Sequence, residues 1–310
     1  GNIGQGESLM AAPTQATLTS LTTEGLKKSG VITPSAAQLT RAQDEWMNEI
    51  KNDISVLFGG KKIEFLQSER VLALTDGLQK YSQPTDYFSN LSMQILDGSI
   101  QGTAQAGAAT TITLAATETV ASSEMIGSEI VITGGTGANQ IRQCTSYDSS
   151  TKIATISPAW TTNPAVSSTY MIVSSYRPVT SAPIWDLVKS ITNTVKGLPE
   201  YWLPVGNDDN GEFLLLPLPY RNETGKVYVL KQRYYADLME LDLAGTLMAT
   251  LYKRWRNIWI QGICVKTLQD NDDTRAVAEG SKYNAMVRLM VSQETYGSDL
   301  QNLQITVEDY

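Results

Sequence analysis

Apolar residues recur at three- and four-residue spacing toward both ends of the chain, which is typical of amphipathic helices. Leu18–Leu26 predicts a short helix that ends at Gly30. A longer helix is predicted to begin at Pro34-Ser35 and to stop at Gly59-Gly60. Its apolar positions, which we expect in the core, are Leu39, Ala42, Trp46, Met47, Ile50, Ile54 and Leu57. Its polar side carries Arg41, Asp44, Glu45, Glu49, Lys51 and Asp53.

The pattern then changes to strand-like alternation. After short predicted strands at Ile63–Leu66 and Val71–Leu74, residues 98–175 are poor in charge and rich in Thr, Ala, Ser and Gly. Strands are predicted here at Thr111–Leu114, Glu129–Ile132, Lys152–Ile156 and Tyr170–Val173. They are separated by the turns Gly134–Gly137, Asp148–Ser150 and Thr162–Pro164. We predict that residues 98–175 form a small antiparallel β-sandwich or barrel.

Residues 1–97 and 176–310 would then be one discontinuous helical domain with this all-β domain inserted, in a chain of the α+β class. After the insert, Pro183–Val195 predicts a helix. Phe213–Pro219 is predicted to pair with Lys226–Tyr235 as a β-hairpin across the turn Asn222–Gly225. The two prolines of its first strand favour an edge position.

The longest predicted helix runs from Leu243 to Leu268. Asp270–Asp273 ends it and caps a last helix from Thr274 to about Ser292, and we expect the two helices to pack as an antiparallel hairpin. At the chain ends we expect a flexible arm over residues 1–14 and a C-terminal tail over 297–310. The tail alternates in apolar residues, which lets it either pack back on the domain or dock into a partner by strand addition.

Composition narrows the possible functions. The 310 residues include no histidine and carry a net charge of −8. The chain therefore lacks the commonest general acid–base and every Ser-His-Asp arrangement, and we expect neither catalysis nor a cofactor. Paired carboxylates, lysine chemistry and a magnesium site need no histidine and stay open. No apolar run approaches the roughly 20 residues of a membrane span.

The two cysteines, Cys144 and Cys264, form no CxxC motif and lie in segments of different composition. We interpret them as reduced, packed thiols. Two acidic clusters, Asn207–Asn210 and Asp270–Asp273, lack the EF-hand register and are interpreted as turns and helix caps. Gly134–Gly137 opens no helix and is interpreted as a hairpin turn rather than a phosphate cradle.

Tyr252–Trp259 interleaves aromatic and basic residues, a pattern that also occurs in nucleic-acid contacts. Tyr252, Trp255 and Trp259 are three and four residues apart, so they share one face of the predicted helix. We favour a core or an inter-subunit surface for this face over nucleic-acid binding.

Four features of the predicted helical domain and two segments of the predicted insert are similar to segments of known protein families. In the framework these are the helix Arg41–Leu57, the Tyr-x-x-Pro-x-Asp-Tyr segment Tyr81–Tyr87, the run Leu214–Pro219 before a Tyr-rich strand, and the helical hairpin around Asp270–Asp273. Together they resemble head-to-tail adaptor (connector) proteins of tailed bacteriophages. In the insert, Gly134–Arg142 and Thr151–Trp160 are similar to a β-module common in phage virion proteins.

The resemblance implies a virion protein of the phage neck, made in the cytoplasm of the bacterial host. It implies a homo-oligomeric ring, often of twelve subunits, beneath the portal protein. Such a ring continues the channel for double-stranded DNA without specific binding and presents a platform to the next tail or nozzle protein; the insert could contact a tail fibre. Adaptors often send a C-terminal segment into the portal, which assigns portal binding to Leu300, Leu303, Ile305, Val307 and Tyr310.

Two other functions remain open. The β-domain could be a tail-associated module that binds a fibre or a host glycan through Tyr147, Trp160 and Tyr170, although we favour these aromatic residues as core. A wall hydrolase that uses carboxylates is motivated only by scattered Asp and Glu residues.

Overall fold

The structure is a computed structural model that describes residues 15–58, 62–63, 66–98, 100–181, 196–205, 211–219 and 228–301, with the backbone alone for 15–17 and 295–301. Its helices are α1 (Gln15–Ser29), α2 (Ala36–Arg41), α3 (Met47–Phe58), α4 (Ser122–Met125), α5 (Thr246–Arg254), α6 (Arg256–Asp270) and α7 (Arg275–Gln301). Helices and strands are both abundant, so the α+β class is confirmed.

The strands form three sheets within the described residues. They are β1 (Gln67–Ala73), β2 (Lys80–Ser82), β3 (Tyr87–Asp97), β4 (Ile100–Thr103), β5 (Ala106–Ala108), β6 (Thr111–Thr113), β7 (Glu129–Gly134), β8 (Ile141–Asp148), β9 (Ile153–Ser157), β10 (Thr169–Ile172), β11 (Ser175–Pro178), β12 (Thr180–Ser181), β13 (Tyr201–Val205), β14 (Glu212–Leu216) and β15 (Val229–Ala236). The chain divides into two compact units: residues 1–67 with 235–310, called the helical unit, and residues 68–234, called the β unit.

In the helical unit, α1 packs along α6. The two helices come so close at Gly25 that a Cβ atom there would lie 2.6 Å from Cβ of Ile263. The helix ends as predicted at Gly30, whose φ of 113° lies in the left-handed region. The amide of Val31 donates to the Leu26 carbonyl at 3.0 Å, which closes the last turn.

The long early helix begins with a capping box in which Ser35 and Gln38 bind each other's backbone amides. It continues from α2 through a π-helical turn, Ala42–Trp46, into α3. Most of its apolar stripe is buried, but Leu57 is 41% exposed. Lys51, predicted on the polar side, is instead buried, because its ammonium group donates to two backbone carbonyls. Of the strand predicted at Ile63–Leu66, only the two end residues are described, and neither of them is in a strand.

The single helix predicted over Leu243–Leu268 is broken into α5 and α6 at Trp255, where φ is −120° and ψ is 34°. No Gly or Pro marks this break, and the apolar spacing continues across it. α6 and α7 then pack as a hairpin. The last helix, α7, reaches Gln301 and so extends past its predicted end at about Ser292 into the first residues of the predicted tail.

In the β unit, strands between Ile100 and Ile172 form one sheet of their own in the order β4-β10-β7-β8-β9-β6-β5. The strands predicted around Thr111, Glu129, Ile153 and Tyr170 are confirmed as β6, β7, β9 and β10. The two edge strands, β4 and β5, follow each other along the chain and are linked by Ala104 and Gln105. The Ala104 amide donates to the Ser168 carbonyl beside β10, and the next amide, that of Gln105, donates to the Thr113 carbonyl of β6. The same stretch of chain therefore pairs with both sides of the sheet. The sheet is therefore curled into a barrel.

The predicted β-hairpin of Phe213–Pro219 with Lys226–Tyr235 was wrong. β14 pairs with β13 and β2 in the sheet β12-β13-β14-β2, while β15 lies between β1 and β3 in the sheet β1-β15-β3-β11. β14 is consequently an interior strand. It ends at Leu216, before both prolines, so neither proline removes a hydrogen bond from it. The predicted turn Asn222–Gly225 and the predicted helix Pro183–Val195 lie outside the described residues.

Candidate functional site

The elbow between α5 and α6 contains the aromatic face of the sequence. Tyr252 and Trp259 are buried, and their rings meet edge to face with centroids 5.0 Å apart. The Tyr252 hydroxyl donates to the Leu243 carbonyl at 3.0 Å, and burial raises its pKa. These two residues lie in the core of the helical unit, with no surface left for stacking on a base.

Trp255 is only half-buried and is held by Glu294, a residue that the sequence pattern did not single out. The Trp255 indole Nε1 donates to Oε1 of Glu294 at 3.0 Å, and Nε of Arg254 donates to the same oxygen at 2.7 Å. Glu294 is buried on the same side of α7 as Tyr283, Val287 and Met290. That spacing was the available signal, since a carboxylate at a core position requires charged or hydrogen-bonding partners.

A cleft of about 340 Å³ lies between α3, α6 and α7. Lys266 lies in it and forms ion pairs with Glu49 at 3.0 Å and Asp53 at 3.3 Å. Burial opposes the charge of Lys266, but the hydrogen bond that its ammonium group donates to Glu49 and the charge of Asp53 outweigh this effect and raise the pKa of Lys266. Burial and the nearby Asp53 raise the pKa of Tyr283, which also lines the cleft.

Lys51 of α3 is a buried lysine. Its Nζ donates to the carbonyls of Met239 at 2.8 Å and Leu241 at 3.1 Å, which ties α3 to the chain just before α5. Desolvation lowers the pKa of Lys51, against the raising effect of nearby carboxylates. It lies between Met47 and Ile54 on the apolar stripe, so its position could have revealed its burial.

The three aromatic residues predicted as possible glycan contacts lie inside the barrel. Tyr147, Trp160 and Tyr170 are all at most 6% exposed and belong to one apolar cluster. The Tyr170 hydroxyl accepts from the Ala115 amide at 3.0 Å and lies 3.2 Å from a carboxylate oxygen of Glu118, and burial raises its pKa to about 12. None of the three therefore exposes a ring on which a sugar could stack. This removes the main reason to propose glycan binding by these residues.

The other candidates for chemistry have structural roles where they are described. Asp270 binds Arg41 through both carboxylate oxygens at 2.6 and 2.8 Å, and Asp273 accepts from the Arg275 amide at 2.8 Å at the start of α7. Gly134–Gly137 leads from β7 into the turn before β8. The cluster Asn207–Asn210 lies outside the described residues. Cys144 and Cys264 are buried free thiols, which confirms that interpretation, and burial raises the pKa of both.

The predicted portal-binding residues are largely beyond the described part of the chain. Leu303, Ile305, Val307 and Tyr310 lie outside it, and Leu300 is described by its backbone alone, in the last turn of α7.

The framework segments behind the adaptor resemblance contact one another within each unit. In the β unit, Tyr81 pairs with Phe213 across β2 and β14, and their rings stack with centroids 5.8 Å apart. The Tyr234 hydroxyl of β15 donates to Asp86 at 2.8 Å. In the helical unit, α3 packs against both α6 and α7. The conspicuous sequence patterns thus form two packed clusters.

Over the described ranges, no helix is long and apolar enough to cross a membrane, and no three His, Cys, Asp or Glu side chains are grouped as metal ligands. Comparison of the sequence with protein-family models and with curated proteins found no match.

Proposed function

We propose that this chain is a structural virion protein of a tailed bacteriophage, a head-to-tail adaptor without catalysis or cofactor. It forms a ring, of about twelve copies by the adaptor resemblance, that joins the portal to the tail and continues the DNA channel. It works in the neck of the virion after synthesis in the bacterial cytoplasm. This proposal is based on the resemblance of several sequence segments to adaptor proteins. Its support therefore depends on how those segments are arranged in the structure.

The observation that supports it most is the packing of those segments against one another. Tyr81 and Asp86 of the Tyr-x-x-Pro-x-Asp-Tyr segment contact Phe213 of β14 and Tyr234 of β15, respectively. Segments that are far apart in sequence but conspicuous in composition are thereby brought together within the β unit. We propose in the same way that residues 98–175 are an insertion into this framework, with the barrel as the inserted module.

The remaining partners follow from this role. The portal protein lies above the ring and a tail or nozzle protein below it, and the barrel could reach a tail fibre. Double-stranded DNA passes without specific binding, because the net charge of −8 lowers the affinity of the chain for phosphate.

The test is co-sedimentation with the portal protein of the same phage genome. The full chain should sediment with the portal, and a variant that lacks residues 302–310 should lose most of this binding while α7 stays complete. A matched variant with Leu303, Ile305 and Val307 replaced by Ser keeps the length and should lose binding equally. Absence of binding by the full chain would refute the proposed function, and unchanged binding by the deletion variant would refute the role of the tail.

A further inference from the structure

One surface of the helical unit combines carboxylates with exposed aliphatic side chains. Glu49, Asp53, Val56 and Leu57 follow one side of α3 at helical spacing, and we call them the acidic face. The side chains of Glu49 and Asp53 are 53% and 40% exposed. Val56 is 68% exposed. Two adjacent exposed aliphatic residues beside a cleft are a feature of binding surfaces.

A second surface of the same unit has the opposite charge. Lys253, Arg254 and Arg256 at the elbow line a cleft of about 420 Å³ together with Leu289 of α7, and we call these four residues the basic face. The side chains of Arg254 and Arg256 are 56% and 41% exposed, and Leu289 is 55% exposed. This face again joins charge to exposed apolar area.

Ion pairs within the chain leave each face with a residual charge. On the acidic face two carboxylates meet one ammonium group, that of Lys266, which leaves one negative charge. On the basic face Glu294 neutralises Arg254 and Glu24 neutralises Arg256. Lys253 is exposed and has no ion pair among the described residues, which leaves one positive charge. The two faces are therefore complementary both in charge and in apolar character.

The two faces cannot meet within one chain. Arg256 begins α6 and Lys266, beside the acidic face, is ten residues further along it, a separation of about 15 Å along the axis. α6 and α7 run antiparallel, since Gln261 binds Glu279 while Arg254 binds Glu294. The faces consequently lie toward opposite ends of one rigid hairpin.

We infer that the acidic face of one copy binds the basic face of the next copy. Pairing of a face with itself would bring like charges together, whereas pairing of unlike faces satisfies both. A contact between two different patches of one chain is heterologous, and heterologous contacts generate rings or open filaments rather than two-fold dimers. This inference rests on the proposed ring and names the surfaces that build it.

The experiment uses two full-length variants, each with one face blocked. Val56→Arg with Leu57→Arg blocks the acidic face, and Lys253→Glu with Leu289→Glu blocks the basic face. All four positions are exposed, so the circular dichroism and thermal unfolding of both variants should match those of the unmodified chain. Val166→Arg is the matched control, because Val166 is 64% exposed but lies in the β unit.

In sedimentation velocity over a concentration series, the unmodified chain and the control should form species larger than a monomer. Each blocked variant alone should remain a monomer, and an equimolar mixture of the two should associate again, because one intact acidic face meets one intact basic face. High salt should weaken the association. A mixture that stays monomeric, blocked variants that still assemble, or an unmodified chain that is monomeric throughout would each overturn the inference.

The outcome separates this inference from the proposed function. Assembly through the two faces by a chain that does not bind the portal would contradict only the proposed function. A chain that binds the portal as a ring while both blocked variants still assemble would contradict only the assignment of the faces.

Discussion

The barrel and the helical unit differ in how they expose or bury their large apolar side chains. In the barrel, Ala104 and Gln105 close the sheet, and the large aromatic side chains point into its own core. Its exposed aliphatic residues include Ile126 and Val166. In the helical unit, exposed aliphatic residues adjoin charged ones at both ends of a rigid hairpin. The large aromatic side chains of the barrel are thus buried in its own core, whereas the two faces of the helical unit leave aliphatic side chains exposed in the single chain.

The barrel is nevertheless attached firmly to its neighbour within the β unit. Val131 and Met171 of the barrel pack with Val71, Leu96 and Val229 of the four-stranded sheet β1-β15-β3-β11. Lys231 of β15 also forms ion pairs with Glu69 and Glu129. A module that swings freely would lack this apolar contact, so the barrel is held in one orientation relative to that sheet.

The largest expected effect concerns the core of the helical unit. Replacing Trp259 by Ala should lower the free energy of unfolding of the helical unit by about 3–5 kcal/mol, because removal of a fully buried indole leaves a cavity. Chemical denaturation followed by helical circular dichroism measures this. Trp255→Phe keeps a ring and loses one hydrogen bond, so it should cost only about 1 kcal/mol. Equal losses at both positions would contradict the division between core Trp259 and surface Trp255.

A smaller effect is expected at Lys51. Its replacement by Met should cost about 1.5–3 kcal/mol, because two carbonyls lose a charged donor. Its pKa is lowered on folding from 10.5, so the unfolded chain binds this proton more strongly, and the free energy of unfolding should rise as the pH increases toward that value. Denaturation at several pH values should show this rise in the unmodified chain and not in Lys51→Met. An identical pH dependence in both would contradict the burial of the charge.

The smallest effect tests the barrel. Tyr170→Phe retains the ring and removes the hydrogen bonds to Ala115 and Glu118, so it should destabilise the barrel by about 1 kcal/mol. Because the hydroxyl is internal, the same change should leave any binding of partners untouched. Thermal unfolding measures the first outcome, and a Tyr170→Phe variant that fails to bind a partner of the full chain would show that the barrel core is functional after all.

Local signals predicted several helix ends. Ser35, Gly30 and Asp273 marked helix ends because caps and left-handed residues act within a few positions. Strand pairing failed, because β14 and β15 are neighbours in sequence but join different sheets, and long-range packing decides this. Lys51 and Glu294 were missed since a charged residue normally lies outside the core, and here each is buried by partners distant in sequence.

The ring would be visible in cryo-electron microscopy of the chain bound to its portal protein. We expect a ring of copies coaxial with the portal, around an open channel, in which the acidic face of each copy meets the basic face of the next. Single copies scattered on the portal, or copies paired by a two-fold axis, would contradict it.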